Sequence, residues 1–383
     1  MNINEMRSQF PALERIHNGR PVAYFDAPGG TQVPRVVAEA MTDYLFHHNA
    51  NTHWAYPTSS ETDAIIASAR TAAAEFLNAG ANEVAFGANM TTLTFHLART
   101  LGRTWQAGDE VIVTDLDHHA NVAPWRSLER DRGVVVKSAR MLRDTARVDY
   151  DHLGQLVSKR TKLIAIGGAS NAVGTINDLP RVREIARSAG ALFFVDAVHL
   201  APHAKIDVQA IGCDFLAVSA YKFYGPHIGI LFARSELMES LPFPKLDPAP
   251  DEGPERVETG TQNHEGIAGV KACVDFMKSI GHQEPDFTRM LRDGLKANKR
   301  VRVYGSEPCT ATVGFTVEGM TAEEVTRRLA DEALFVSHGD FYAQTVIREL
   351  GVEALVRVGC ACYTTREEVE RLLDAMSRLG SGL

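Results

Sequence analysis

The sequence predicts an α/β protein: a large domain on a mostly parallel, seven-stranded sheet, then a small α+β domain at the C-terminal end. Three observations lead there. Seven short runs are apolar at nearly every position, as strands are when helices cover both faces of a parallel sheet. Stretches of helical periodicity separate them. Beyond about residue 280 the pattern changes to a few short strands and two amphipathic helices.

In chain order, "ETDAIIASARTAAAEFL" (61–77) reads as the first long helix. The seven strands are "EVAFG" (83–87), "DEVIVTD" (109–115), "VVVKSA" (134–139), "KLIAIGGAS" (162–170), "ALFFVDAV" (191–198), "DFLAVSA" (214–220) and "IGILFA" (228–233). The helical "RVREIARSAG" (181–190) sits between the fourth and fifth. The small domain reads as "VRVYG" (301–305), "TATVGFTVEG" (310–319), the helix "TAEEVTRRLADEA" (321–333), "LVRVGCACY" (355–363) and the helix "TREEVERLLDAMSRLG" (365–380). The expected division is 20–280 for the large domain and 1–19 with 281–383 for the small one. The junction falls in the Gly281/Pro285 stretch.

Bulk properties exclude several classes. A chain of 383 residues, 45% of them hydrophobic, can bury a large core. Its net charge of -8 and lack of a basic stripe give no support for a nucleic-acid or anionic-membrane partner. No run approaches the roughly 20 apolar residues that a spanning helix needs, and the N-terminal segment is mixed and polar. Five scattered cysteines (Cys213, Cys273, Cys309, Cys360, Cys362) match no zinc spacing. The expectation is a soluble, reduced, cytoplasmic protein with no metal.

Ligands of such sheets bind at the carboxyl ends of the strands, so the residues just after each strand carry the functional reading. After "EVAFG", the helix start with Thr91 and Thr92 offers backbone N–H groups to an anion, or is an ordinary cap. After "EVIVTD" come His118 and His119, which adjacent in sequence do not suit one metal ion but could stack on a ring or act as a base. Asn171 follows the fourth strand. Asp196 and His199 close the fifth, where a carboxylate ending an apolar run caps a loop or pairs with a buried cation. "SAYKFYGP" (219–226) sets Ser219 and Lys222 among aromatic residues. Lys222 there is either a snorkelling side chain or a desolvated nucleophilic amine. Together these are the parts that pyridoxal 5'-phosphate requires: a Schiff-base lysine, a carboxylate for the pyridinium nitrogen, a stacking imidazole and a phosphate cup.

With "YFDAPGGTQVP", "ANTHW", "GANMTTLTF", "DHHANVAPW", "SNAVGTINDL", "VDAVHLAPH", "SAYKFYGPHIG", "ETGTQN" and "VRVGCACYTTREEV", the chain resembles the class V aminotransferase group of fold-type-I pyridoxal-phosphate enzymes. Within that group it is similar to the cysteine desulfurase-like proteins. The resemblance implies that Lys222 carries the cofactor, Asp196 pairs with its pyridine nitrogen and His118 stacks over its ring. It places Thr91, Thr92 and Ser219 on the phosphate, and Asn171 and His199 near the phenolic oxygen. Thr261 would reach the phosphate from the second subunit of a homodimer with a shared active site. Arg357 would bind the substrate carboxylate, with His53 and Asn171 also on the substrate side.

The chain also departs from that group's pattern. His199 stands where glutamine is usual, and Tyr221 where histidine precedes the lysine. The linker from "ETGTQN" to "VRVYG" is short. Above all, "VSHGDFYAQTV" carries Tyr342 where these enzymes hold a nucleophilic cysteine. Cys360 and Cys362 share a strand face with Val356 and Val358, opposite Arg357, and so read as core residues. The expected function is therefore cleavage of a Cβ–S (or other Cβ–X) bond of a small amino acid through a quinonoid, with Lys222, His118 and Tyr342 catalytic. The same quinonoid serves a class V aminotransferase or an epimerase. A persulfide-forming desulfurase needs a loop cysteine that is missing. A non-catalytic cofactor-binding protein does not need the full residue set.

Overall fold

The computed structural model describes residues 2–281 and 287–380. The seven expected strands are all present: β1 (Val84–Gly87), β2 (Glu110–Thr114), β3 (Val135–Ala139), β4 (Thr161–Gly167), β5 (Leu192–Asp196), β6 (Phe215–Ser219) and β7 (Gly229–Ala233). They form one sheet in the order β1-β7-β6-β5-β4-β2-β3. Only β7 runs against its neighbours. The register puts Asp196 level with Gly167 and Ala217, and Ser219 level with Gly229. One ledge thus collects the carboxyl ends of β4, β5 and β6.

The central strands read as apolar throughout because each side of them meets a different core. Ile164, Ile166, Phe193, Val195, Leu216 and Val218 pack into one cluster, while Leu163, Ala165, Phe194, Phe215 and Ala217 pack into the other. The first cluster is closed by helix α1 (Pro57–Leu77) and helix α3 (His264–Ile280), and helix α2 (Met90–Gly102) covers the second.

The small domain has strands β8 (Val301–Val303), β9 (Thr312–Val317), β10 (Ser337–Gly339) and β11 (Leu355–Gly359) in the antiparallel order β8-β9-β11-β10. Helices α4 (Thr288–Ala297), α5 (Ala322–Asp331) and α7 (Arg366–Gly380) bury Leu291, Leu295, Val325, Leu329, Leu372 and Met376 against one face. Strand β10 and the short helix α6 (Gln344–Leu350) were not foreseen; neither is long enough for a periodic pattern.

The N-terminal end differs from the expected division. Met6 and Phe10 pack at the seam of the two domains: Phe10 is edge-on to Tyr224 and Phe276 of the large one and to Tyr363 of the small one, and Arg7 pairs with Glu368 (2.9 Å). Ala23–Tyr24 instead pairs in parallel with Leu334–Phe335, and Ala23 and Phe25 join the small-domain core. The first segment is thus shared between the domains, and a two-residue strand places the second. The expected junction at Pro285 lies outside the described residues.

The domains meet where a large-domain turn, 171–176, enters the small sheet. Thr310 N–H donates to Gly174 O (2.9 Å) and Ile176 N–H to Pro308 O (2.9 Å). The approach is so close that a Cβ on Gly314 would lie 2.6 Å from Ala172 O, while a Cβ on Gly154 would meet nothing within 4 Å. Gly314→Ala is expected to cost about 1–3 kcal/mol by overpacking. Gly154→Ala, on an open helix face, should stabilise by about 0.5–1 kcal/mol. Urea unfolding midpoints of both variants check this; equal shifts would contradict it.

Candidate active site

A cavity of about 580 Å³ opens over the ledge, and Lys222, Asp196, His118, Asn171, His199, Ser219, Thr91 and Thr92 all line it. Eight residues singled out from sequence are therefore brought together. Lys222 sits in the single helical turn Ala220–Lys222 that follows β6. Its Nζ donates to Pro28 O at 2.5 Å and lies 5.0 Å from the Tyr221 ring centroid. Burial, then the Arg357 charge, pushes its pKa down to about 7, although the Asp196 carboxylate works the other way.

Asp196, at the end of β5, is buried, and among the described residues its carboxylate accepts one hydrogen bond, from Val198 N–H (3.0 Å). Burial pushes its pKa up to about 6, so a cation beside it would be bound strongly. His118 accepts Ala120 N–H on Nδ1 (3.0 Å), which leaves Nε2 with the proton in the neutral ring. Burial and the Lys222 charge hold its pKa down at about 4. An uncharged ring, fixed by its own backbone, can lie flat against an aromatic ligand.

The anion end is built on helix α2. Asn89 caps it, accepting from Thr92 N–H (2.9 Å) and the Thr92 hydroxyl (3.0 Å), and Met90 N–H donates to Ser219 Oγ (2.9 Å). The Thr91 amide and hydroxyl make no hydrogen bond within the chain among the described residues. This cap lies directly on the start of β7, because a Cβ at Gly229 would fall 2.4 Å from the Asn89 carbonyl carbon. On the opposite wall, Asn171 donates from Nδ2 to Phe341 O (2.8 Å), and its Oδ1 is buried without a partner.

Arg357 projects from β11 away from Val356 and Val358, as strand alternation requires. Its guanidinium donates to Asn171 O (2.9 Å) and Ser337 Oγ (3.3 Å) and lies 3.9 Å from the Phe341 ring centroid. Burial lowers its pKa to about 9, which still leaves it charged at neutral pH. Tyr342 is 74% exposed, and it and Phe341 both have φ of 55°. His119 N–H donates to Tyr342 O (2.7 Å), and the phenol ring stands 5.7 Å from the His118 ring. Tyr342 thus sits at the mouth of the site.

None of the five cysteines lines this cavity. Cys360 packs in the small-domain core, with one side on a narrow crevice behind Lys222, and Cys362 packs in the large-domain core.

Four expected residues do not line it: Arg357 and Tyr342 touch the wall residues Asn171 and His118 from outside, and His53 and Thr261 lie apart. His53 and Thr261 line a separate surface cavity of about 850 Å³. Its wall is held by a buried pair that the sequence reading missed: Arg70 forks onto Glu258 (2.6 and 3.0 Å), which also accepts Phe86 N–H (2.7 Å). Asp117 was missed as well. It accepts Thr114 N–H (3.1 Å) and the Thr114 hydroxyl (2.8 Å), and also the Gly167 amide, so it staples β2 to β4 beside His118. The signal for the first was an arginine inside an alanine-rich helix and a glutamate opening "ETGTQN"; for the second, a further carboxylate at a strand end.

Residues 23–372 match the family model for aminotransferase class-V. The cysteine desulfurase of Serratia proteamaculans (strain 568) is 30% identical over 405 aligned positions, covering 98% of each chain. The apo structure of the cysteine desulfurase from Thermococcus onnurineus NA1 superposes with a TM-score of 0.93 at 29% identity, covering 100% of this chain and 99% of that one. The S-sulfonic acid form of an Escherichia coli cysteine desulfurase gives 0.89 at 28%, covering 99% and 98%.

The shifted lysine makes a direct prediction. In cofactor-free protein, capture of an aldehyde by Lys222, read by mass spectrometry after borohydride reduction, should rise with pH to a midpoint near 7. Asp196→Asn should lower that midpoint further, since the carboxylate favours the ammonium. A midpoint near the ordinary lysine value of 10.5 would contradict the burial reading. Separately, Arg70→Met leaves Glu258 buried and unpaired, and should cost about 3–5 kcal/mol in chemical unfolding.

Proposed function

The chain belongs to the aminotransferase class-V family, whose cofactor is pyridoxal 5'-phosphate, and we propose that it is a homodimeric, cysteine desulfurase-like lyase that cleaves a Cβ–S bond of a small amino acid and releases the sulfur to solvent. The observation that carries this reading is the mouth of the site. Tyr342 stands there, and no thiol lines the cavity in which an enzyme persulfide would have to form.

The residues fit the cofactor. The orphaned Asn171 Oδ1, the dry carboxylate of Asp196, the neutral His118 ring and the open Thr91 amide each lack a partner of the kind the cofactor brings. Lys222 would hold it covalently, and Asp196 would take the pyridine N–H. His118 would cover the ring, Thr91, Thr92 and Ser219 would take the phosphate, and Asn171 and His199 would flank the phenolic oxygen. Thr261 and His53, exposed on their own chain, would serve the partner's site. The same surface segment exposes Phe46, Trp54 and Tyr56, which supports its burial against a second copy. Bound there, the cofactor offers a carbonyl to the substrate amine and an electron-accepting ring conjugated with Cα.

The chain's own groups then act in order. Arg357 forks onto the substrate carboxylate, with its charge already desolvated and its planes fixed by Phe341. Lys222, present in part as free amine at neutral pH, removes the Cα proton. Tyr342 donates a proton to the sulfur leaving Cβ. The substrate thereby loses H from Cα and the thiol from Cβ; the remaining enamine takes up water to give a 2-oxo acid and ammonia.

Cysteine turned over by the holoenzyme should yield sulfide and 2-oxo acid in equal amounts, without alanine. Tyr342→Phe should slow release by roughly 10²–10⁴-fold if its phenol is the general acid, and Cys360→Ala and Cys362→Ala should leave it unchanged. Alanine formation that depends on any cysteine would instead make this a persulfide-forming desulfurase. Conversion of the cofactor to its amine form with a 2-oxo acid as acceptor would make it an aminotransferase, and Cα exchange without sulfide an epimerase.

A further inference from the structure

A contact behind the cavity wall joins the two domains at one histidine. His199 follows β5, is buried and lines the cavity. Its Nε2 lies 3.2 Å from Thr310 Oγ1, while its Nδ1 has no hydrogen-bond partner in the chain among the described residues. Thr310 belongs to the small domain, in the segment leading into β9. Its hydroxyl has a second neighbour, Gly174 O at 3.4 Å, a carbonyl that already accepts the Thr310 amide. The hydroxyl has one proton to give. Nε2 is the nearer of the two neighbours, and a ring that accepts that proton on Nε2 carries its own on Nδ1.

We propose that Thr310 is a positioning residue: its hydroxyl fixes His199 as the tautomer with the proton on Nδ1, so that the ring presents a hydrogen-bond donor to the cofactor's phenolic oxygen. This rests on the reading above that His199 flanks that oxygen. The tautomer, and not a charge, is what is set. Burial, then His203, Arg357, Lys222 and His118 around it, hold the His199 pKa well below the ordinary histidine value. A donor at this point stabilises the ionised oxygen and lowers the pH at which the bound cofactor loses its proton. It also explains how histidine can stand where related enzymes hold the fixed donor of a glutamine. A histidine needs a second residue to choose its tautomer, and the small domain supplies it.

The test is a pH titration of the visible absorbance of the holoenzyme. Thr310→Val keeps the side-chain shape without the hydroxyl and should raise the spectral midpoint by about one pH unit, the size of one lost hydrogen bond to a charged group. Thr310→Ser should restore the wild-type midpoint. On a His199→Gln background, Thr310→Val should move nothing further. If Thr310→Val does not accumulate folded, Thr310→Ala probes the same hydroxyl. An unchanged midpoint in the folded hydroxyl-free variant, or an equal shift on the glutamine background, overturns the proposal. The cofactor assignment fails separately, if Lys222→Ala keeps the covalent absorbance band.

Discussion

The arrangement depends on keeping Lys222 out of water. An ammonium largely shielded among Tyr221, Pro28 and the strand ends is costly, so its proton is held weakly and part of the lysine is free amine at neutral pH. That state is held by what surrounds it. Arg357, also dry, repels a second cation, while Asp196 is too deeply buried to restore the charge fully. Such a balance needs rigid walls, since a small opening would let water resolvate all three groups. The double-faced sheet provides them: Asp196 and Ser219 end strands whose side chains, Leu192 apart, are buried on one face or the other.

The second requirement is that the small domain brace the cavity wall from outside. Arg357, Phe341 and Thr310 all come from it, and each touches Asn171 or His199 across the junction. The turn 171–176 can enter the small sheet only because glycines remove the side chains where backbones meet. Packing at that seam and polarity at the site are thus one structure. A shift of the small domain would move Arg357, the Asn171 wall and the His199 partner together.

Much of this was legible in the sequence. All seven strands of the large sheet could be read, because burial on both faces removes polar residues from every position. Their ends gave Lys222, Asp196, His118 and Asn171. The N-terminal segment was not legible: Phe10 meets aromatic residues of both domains, and Ala23–Tyr24 is too short to show a period. Partners distant in sequence were equally hidden. Nothing near Thr310 indicates a histidine 111 residues away, and Glu258 and Arg70 are 188 residues apart. Asp117 was passed over because His118 beside it drew the functional reading.

The loop that bears Tyr342 shows how far backbone geometry can limit chemistry. Phe341 and Tyr342 both occupy the left-handed region, which costs a non-glycine residue of order 1 kcal/mol and so must be held by the surroundings. The holds are visible: Asp340 Oδ1 accepts Tyr342 N–H (2.9 Å), His119 N–H donates to Tyr342 O, and Asn171 donates to Phe341 O. Two of those three contacts come from the large domain, from residues in or beside the cavity wall. The loop is therefore fixed by the site that it covers. A residue whose side chain had to carry sulfur away from the site would need a loop free to swing outward. A residue that only passes a proton is better served by one pinned in place, and the pinned loop carries a phenol.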